Sequence, residues 1–169
     1  MSKAYLLGAL HDGCQRKYTC RIAQKYFSYV EEISNMIKSM GYNAWTYKEG
    51  KSREVYIVEF SKSILNNVEI ISTQDKIDYI QGYFDAEGSV SLNGSRMYIY
   101  LCQKNKKDLG QVKTFLEELG IACGEIHNPS AKEDPDYWRF FLSCKSYKNF
   151  AIKISSRHPI KNTILEKMI

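Results

Sequence analysis

Two carboxylates stand out because each closes the same kind of phrase. Tyr5-Leu6-Leu7-Gly8-Ala9-Leu10-His11-Asp12-Gly13 ends on an acid and a glycine, as does Tyr79-Ile80-Gln81-Gly82-Tyr83-Phe84-Asp85-Ala86-Glu87-Gly88. Two carboxylates held together repel one another and attract divalent cations. Such cations can activate a water and stabilise the leaving oxygen of a phosphodiester. Small residues stand four positions apart at Gly82 and Ala86, and at Ala4 and Gly8, a spacing that lets two helices approach backbone to backbone. Helices packed that way would bring Asp12 and Glu87 close at their C-terminal ends, on a pseudo-twofold axis. Asp85 points about 200° away from Glu87 on a helix, so it is assigned to local polar contacts or solvent.

The echo extends downstream. Arg21-Ile22-Ala23-Gln24-Lys25 is answered by Tyr100-Leu101-Cys102-Gln103-Lys104, and Phe60-Ser61-Lys62-Ser63 by Ser143-Cys144-Lys145-Ser146. Gln24 precedes Gly41 by 17 positions, and Gln103 precedes Gly120 by the same 17. Four echoes in one order indicate an internal duplication, with halves at 1–73 and 74–169. Each half reads as helix, hairpin, helix, hairpin, helix, an α+β fold. In the first, residues 4–12 form a helix ended by Gly13, and Tyr18 to Gln24 alternates as a strand. Tyr26 to Met40 carries Phe27, Val30, Ile33, Met36 and Ile37 at helical spacing, and Gly41 closes it. Tyr42 to Lys48 and Arg53 to Phe60 form a hairpin about Glu49-Gly50, with a short helix from Ser61. The second half predicts a helix near 75–87, strands about an Asn93-Gly94 turn and a helix near 108–119. Strands near 121–127 and 137–143, then helices near 145–154 and 160–168, complete it.

At the two motifs the sequence resembles the LAGLIDADG homing endonucleases, specifically the single-chain kind with two motif copies. Gly82-Tyr83-Phe84-Asp85-Ala86-Glu87-Gly88 matches in full, with glycine five positions before the acid. The resemblance covers nearly the whole chain. It implies duplicated αββαββα halves, with two saddle-shaped antiparallel sheets along the DNA major groove and the motif helices packed at the centre. It further implies that Asp12 and Glu87 bind Mg²⁺ (or Mn²⁺), helped by the backbone carbonyls of His11 and Ala86. Ca²⁺ would bind without supporting cleavage. Gln24 and Gln103 would flank the scissile phosphates and a basic residue would complete each half-site: Lys161 in the second half, with Arg157 next, and Lys76 in the first. The product would be a staggered double-strand break with short 3′ overhangs. The first motif departs from the pattern, since Gly8 stands four positions before Asp12 and bulky His11 lies where the second motif has Ala86. Aligning the acids is preferred to aligning the glycines, because a helix end can adjust and a missing acid cannot be replaced. Gly8-Ala9-Leu10-His11-Asp12-Gly13 also resembles archaeal intron-encoded members.

Strict alternation sets Gln24 and Gln103 with core-facing Ile22 and Leu101, so a bulge or bend is expected to bring them to the phosphates. Candidates for the groove-facing surface are Thr19, Arg21, Lys48, Arg53, Arg96, Tyr98, Tyr100 and Arg139. An arginine there can grip guanine, and other members can bind phosphate. The run Lys104 to Lys107 reads as a solvated turn that could hold phosphate, and His158 as a helix-start residue beside Pro159.

Composition agrees with a folded, mildly cationic chain. Hydrophobic residues make up 44% and charged residues 25%, outside the disordered range. Of the net +5, the first half carries 10 basic against 7 acidic residues and the second 14 against 12, so both halves could touch one long anion. Five cysteines, an odd number with no C-x-x-C pair, read as reduced thiols and exclude a zinc site of ordinary spacing. The apolar start is too short for a secretion signal and no run could span a bilayer, so the cytoplasm or an organelle matrix is expected. The sequence thus predicts a monomer that cuts double-stranded DNA at a site of roughly 20 base pairs, the reach of two adjacent sheets. An intron RNA maturase, or a sequence-specific DNA-binding protein that does not cut, could use the same scaffold.

Overall fold

The computed structural model describes residues 2–93 and 96–169, with only the backbone for Leu92 and Asn93. The tip of the turn expected at Asn93-Gly94 lies outside the described residues. The chain divides into two compact units, Met1–Ala86 with Arg157–Pro159, and Glu87–Ser156 with Ile160–Ile169.

In the first unit, α1 (Lys3–Ala9) runs on into a 3₁₀ turn, Leu10–Asp12. Then come β1 (Cys14–Gln15), β2 (Thr19–Gln24), α2 (Phe27–Ser39), β3 (Ala44–Lys48), β4 (Tyr56–Ser61), a 3₁₀ turn at Lys62–Leu65, and α3 (Thr73–Glu87). The four strands form an antiparallel sheet in the order β1-β2-β4-β3. Its inner face carries Cys20, Ile22, Val58 and Phe60 against Val30, Ile33 and Ile37 of α2 and Tyr5 and Leu6 of α1, all buried. Each such side chain taken from water contributes roughly 1.5–3 kcal/mol. Phe27, expected in that stripe, is 45% exposed and lies edge-on to Tyr56. Helix α3 opens on a reciprocal cap: the Asp75 N–H donates to Ser72 Oγ (3.1 Å) while Ser72 N–H donates to Asp75 Oδ2 (3.0 Å).

The second unit comprises β5 (Gly88–Asn93), β6 (Arg96–Gln103), α4 (Lys106–Glu118), β7 (Trp138–Phe141), a 3₁₀ turn at Cys144–Ser146, α5 (Tyr147–Lys153) and α6 (Pro159–Glu166). Its sheet is β5-β6-β7, antiparallel. The strand expected near 121–127 is not regular. Cys123 bridges Leu142 and His127 bridges Arg139, so four steps on one side face three on the other. That extra residue is a bulge, which breaks the ladder while the segment still lies antiparallel beside β7.

The duplication is visible in how the elements end. Gly41 (φ +82°) and Gly120 (φ +76°) close α2 and α4 in the left-handed region, which only glycine enters without strain. Beyond them Tyr42 N–H donates to Ile37 O (3.2 Å) and Ile121 N–H to Leu116 O (2.9 Å). Ser61 and Ser143 each precede a 3₁₀ turn with nearly equal angles, φ −64° and ψ 132° against φ −68° and ψ 135°. Ser61 therefore corresponds to Ser143, one residue away from the pairing that the repeated letters suggest.

Candidate active site

The motif helices cross at their glycines, within the first unit. A Cβ on Gly82 would sit 2.1 Å from Tyr5 O and 2.8 Å from Ala9 N; one on Gly8 would sit 2.2 Å from Tyr79 O and 2.6 Å from Tyr83 N. Backbone touches backbone there, so each glycine is needed for the approach. The unequal spacing from glycine to acid has a geometric resolution. From Gly82 to Glu87 there are five α-helical steps, about 7.5 Å. From Gly8 to Asp12 there are four, but three fall in the 3₁₀ turn Leu10–Asp12, which rises about 2.0 Å per residue, and the total is again about 7.5 Å. The tighter helix recovers the length that the missing residue removes. Gly13 then leaves extended (φ −102°), and is glycine because a Cβ would meet Leu10 Cδ2 at 2.6 Å and Arg21 O at 2.9 Å.

Sheet register aligns the acids independently. Cys14 pairs with Arg21, which sets Gly13 beside Ile22, and Gly88 pairs with Leu101. Asp12 and Glu87 thus precede equivalent glycines, beside strands that end in Gln24 and Gln103. Gln24 Nε2 donates to Asp12 Oδ2 at 3.5 Å, and Gln103 Nε2 to Glu87 Oε1 at 3.1 Å. The Gln103 amide is held in that sense because its Oε1 accepts from Lys104 N–H (2.7 Å). The bulge expected for the glutamines is absent. The ladders stay in register to Gln24 with Tyr56 and Gln103 with Trp138, and the glutamines reach the acids because the strands outrun the core at that end.

Asp12 borders a cleft of about 300 Å³ lined by Ala23, Gln24, Lys25, Tyr26, Val55 and His158. His158 lies edge-on to Tyr26 and Tyr29, at 5.2 and 5.5 Å between centroids. In the second unit the Cys102 thiol donates to Glu87 O (3.3 Å). Burial pushes that thiol's pKa up, against the lowering effect of a Tyr137 hydrogen bond and of the nearby Lys161 and Arg139 charges. The Lys161 charge thus acts on Cys102, the neighbour of Gln103 and the thiol that donates to the Glu87 carbonyl. Among the described residues no three His, Cys, Asp or Glu side chains group as a metal site. Each motif ends on a carboxylate preceded by a backbone carbonyl, His11 before Asp12 and Ala86 before Glu87, and both groups are hard oxygens. That set fits a cation such as Mg²⁺, which keeps waters and takes phosphate oxygens for its other positions.

Two further basic candidates stand elsewhere. Lys76 is in the first turn of α3, at the end remote from Ala86. Arg157 donates through Nε to Gln81 Oε1 (3.0 Å) and through Nη1 to Glu32 Oε1 (2.7 Å), so it ties the first unit together. Asp85 is not at the surface. It is 2% exposed and accepts from the Tyr5 hydroxyl (2.7 Å) and the Arg157 N–H (3.0 Å). Tyr5 and Tyr29, whose hydroxyls are 2.8 Å apart, are held well above the ordinary tyrosine pKa by burial and then by the Asp85 charge.

Of the groove-facing candidates, Thr19 and Arg21 share the outer face of the first sheet with Trp45, Tyr47 and Glu59. Arg96, Tyr98, Tyr100 and Arg139 share the outer face of the second, opposite buried Ile99, Leu101 and Phe140. Arg139 lies over the Phe141 ring (5.0 Å) and its Nε is 3.4 Å from His127 Nε2. Lys48 differs: register pairs it with Tyr56 and Gln24, on the side away from Arg21, and it bonds Glu54. Arg53 is in the loop before β4, 3.8 Å from Glu49. Glu59 was not singled out from sequence, although it is the lone charge in the apolar run of β4. It accepts from Thr19 Oγ1 (2.6 Å), Arg21 Nε (2.8 Å) and Tyr47 Oη (2.7 Å). Those bonds, Thr19 and Tyr47 foremost, bring its pKa to about 2.

A LAGLIDADG-like domain matches residues 74–155. The chain carries a LAGLIDADG-like domain. Beyond it, 98% of the chain aligns at 25% identity with 86% of the homing endonuclease I-ApeI of Aeropyrum pernix. The fold is that of I-DmoI, which in its complex with DNA and Ca superposes with a TM-score of 0.71 at 19% identity, covering 98% of this chain and 96% of that one. The LAGLIDADG-bearing DUF199/WhiA of Thermatoga maritima superposes at 0.72 and 15% identity, with 98% of this chain covering 57% of that one. Thus the LAGLIDADG-like segment begins at the second motif, and its α3 carries the five-position spacing that the first motif lacks.

Proposed function

We propose that this protein is a site-specific DNA endonuclease that works as a monomer on a long asymmetric site of roughly 20 base pairs. The observation that carries the reading is the repeated acid and glutamine: Asp12 with Gln24 in one unit and Glu87 with Gln103 in the other. Each pair would serve one DNA strand, and the halves 1–73 and 74–169 would each supply one. The likeness to homing endonuclease I-ApeI over 98% of the chain supports the same reading.

Asp12 and the His11 carbonyl, and Glu87 and the Ala86 carbonyl, would hold Mg²⁺ or Mn²⁺, with Ca²⁺ bound unproductively. When bound, such a cation lowers the pKa of water and stabilises the leaving oxygen of a phosphodiester. Gln24 and Gln103 orient the acids, and their amides can also donate to a phosphate oxygen. Lys161 offsets phosphate charge beside Glu87. The outcome is a staggered double-strand break, made in the cytoplasm or an organelle matrix. Among the described residues no helix is long and apolar enough to cross a membrane.

The test is incubation of the protein with a plasmid library that includes the uninterrupted host gene, with Mg²⁺ and with EDTA. Linearisation at one locus only with Mg²⁺ is expected. Glu87→Gln and Asp12→Asn should each slow one strand's cleavage by at least about 100-fold, a loss of the size seen when transition-state charge loses its partner, so nicked circles accumulate. Tight, specific binding without cutting under any divalent ion would overturn the enzyme reading and leave a DNA-binding protein. Binding only to intron RNA, surviving loss of both acids, would leave a maturase.

A further inference from the structure

The outer face of the first sheet holds an arginine whose geometry is fixed by an anion. Arg21, Glu59 and Trp45 lie side by side across β2, β4 and β3. Glu59 Oε2 accepts from both Arg21 Nε and Tyr47 Oη, and Oε1 accepts from Thr19 Oγ1. The guanidinium also lies over the Tyr47 ring, 5.5 Å from its centroid. Only the Nε edge is engaged. The two Nη groups, which form the fork that fits two acceptors at once, make no hydrogen bond or ion pair among the described residues. The side chains of Arg21 and Glu59 are 24% and 16% exposed, so the pair is largely covered by its neighbours while still open to the face.

We propose that Arg21, positioned by Glu59, reads a single guanine in the major groove through O6 and N7. This rests on the DNA-binding reading above and adds what it leaves open, base or phosphate. A phosphate gripped by Arg21 would bring its negative charge against the ionised Glu59 carboxylate, which already carries three donors and can offer no hydrogen in return. A guanine edge brings two neutral acceptors and no such repulsion. Holding Nε also sets the plane of the fork, so less side-chain freedom is lost on contact. Glu59 is a positioning residue here, and Thr19 and Tyr47 hold it in place.

The experiment selects duplexes from a randomised pool in Ca²⁺, for the full chain and for Arg21→Ala and Glu59→Gln, followed by sequencing and by salt titration on the winning site. The intact protein should enrich one motif. Both variants should lose the guanine preference at the same single base pair, by roughly ten-fold or more, with the other positions unchanged. If Glu59→Gln does not fold, Tyr47→Phe and Thr19→Val test the same support and should weaken the same position. Weaker binding to all sequences alike by Arg21→Ala, with a shallower salt dependence, would overturn the proposal in favour of a phosphate contact. An unchanged motif in the variants would overturn it too. No motif enriched by the intact protein would instead overturn the DNA-binding reading on which it rests.

Discussion

Glu59 shows how a single residue can be both a structural and a recognition element. Its carboxyl sits at about 2, below the roughly 4.3 of an unfolded chain. The folded pKa is depressed, so the associated stability is fully present above about pH 4.3 and is lost as pH falls toward 2. The Glu59→Gln variant should therefore be less stable than the parent at pH 7 by on the order of 1–2 kcal/mol, discounted for solvent screening on an open face. The gap should close by pH 2, and urea unfolding at pH 7, 4 and 2.5 would read it; a gap independent of pH would contradict the assignment. Residues of this kind are poorly legible in a sequence. Thr19, Arg21 and Tyr47 converge on Glu59 from two other strands, and the partners of Asp85 lie 80 and 72 positions away. Alternation put Arg21 on the outer face and spacing found the acids, but neither reports what a side chain meets across the sheet.

At the scale of elements, close helix approach and helix termination place different demands on glycine. Gly82→Ala would drive a methyl into the backbone of α1, 2.1 Å from Tyr5 O, and neither helix can yield cheaply. A loss of about 3 kcal/mol or more is expected, near 10 °C in Tm for a chain of this size. Gly110 lies in the interior of α4 with nothing within 4 Å of an added Cβ. Gly110→Ala should stabilise by roughly 0.5–1 kcal/mol, and thermal melts of the two variants should move in opposite directions. The helices, the duplication and the 17-residue interval from glutamine to glycine were legible, because periodicity and the left-handed glycines are local signals. The flank of β7 was not: its hydrophobic letters read as a strand, whereas the bulge between Cys123 and His127 depends on its partner's register. The glutamines show the converse error, since the bulge expected there proved unnecessary once the strand ends were seen to overrun the core.

For the molecule as a whole, catalysis and folding should part company when metal is withdrawn. Each acid has a glutamine donor in place, and among the described residues no metal-binding cluster contributes to the fold. EDTA should abolish cleavage while leaving Tm in the absence of DNA unchanged within about a degree, since a cation with one carboxylate and one carbonyl from the protein, and no DNA phosphate to complete its shell, binds the free protein too weakly to add stability. A large fall in Tm with EDTA would point to a structural ion. All five cysteines are free thiols, so added reductant should move neither quantity.

The 3₁₀ turn at Leu10–Asp12 makes the first motif a place where the chain can change length. An inserted residue in an ordinary α-helix rotates everything beyond it by about 100° and is usually ruinous. Here an extra alanine between Ala9 and Leu10 could be absorbed by rewinding the turn to α, leaving Asp12 at nearly the same height and with the rotation that Glu87 has in α3. The lengthened protein should cut as well as its parent, whereas the same insertion between Tyr83 and Phe84, where α3 has no tight turn to relax, should disable it. In this chain helical pitch and residue number trade against one another: a tighter turn with one residue fewer spans the same rise from glycine to acid.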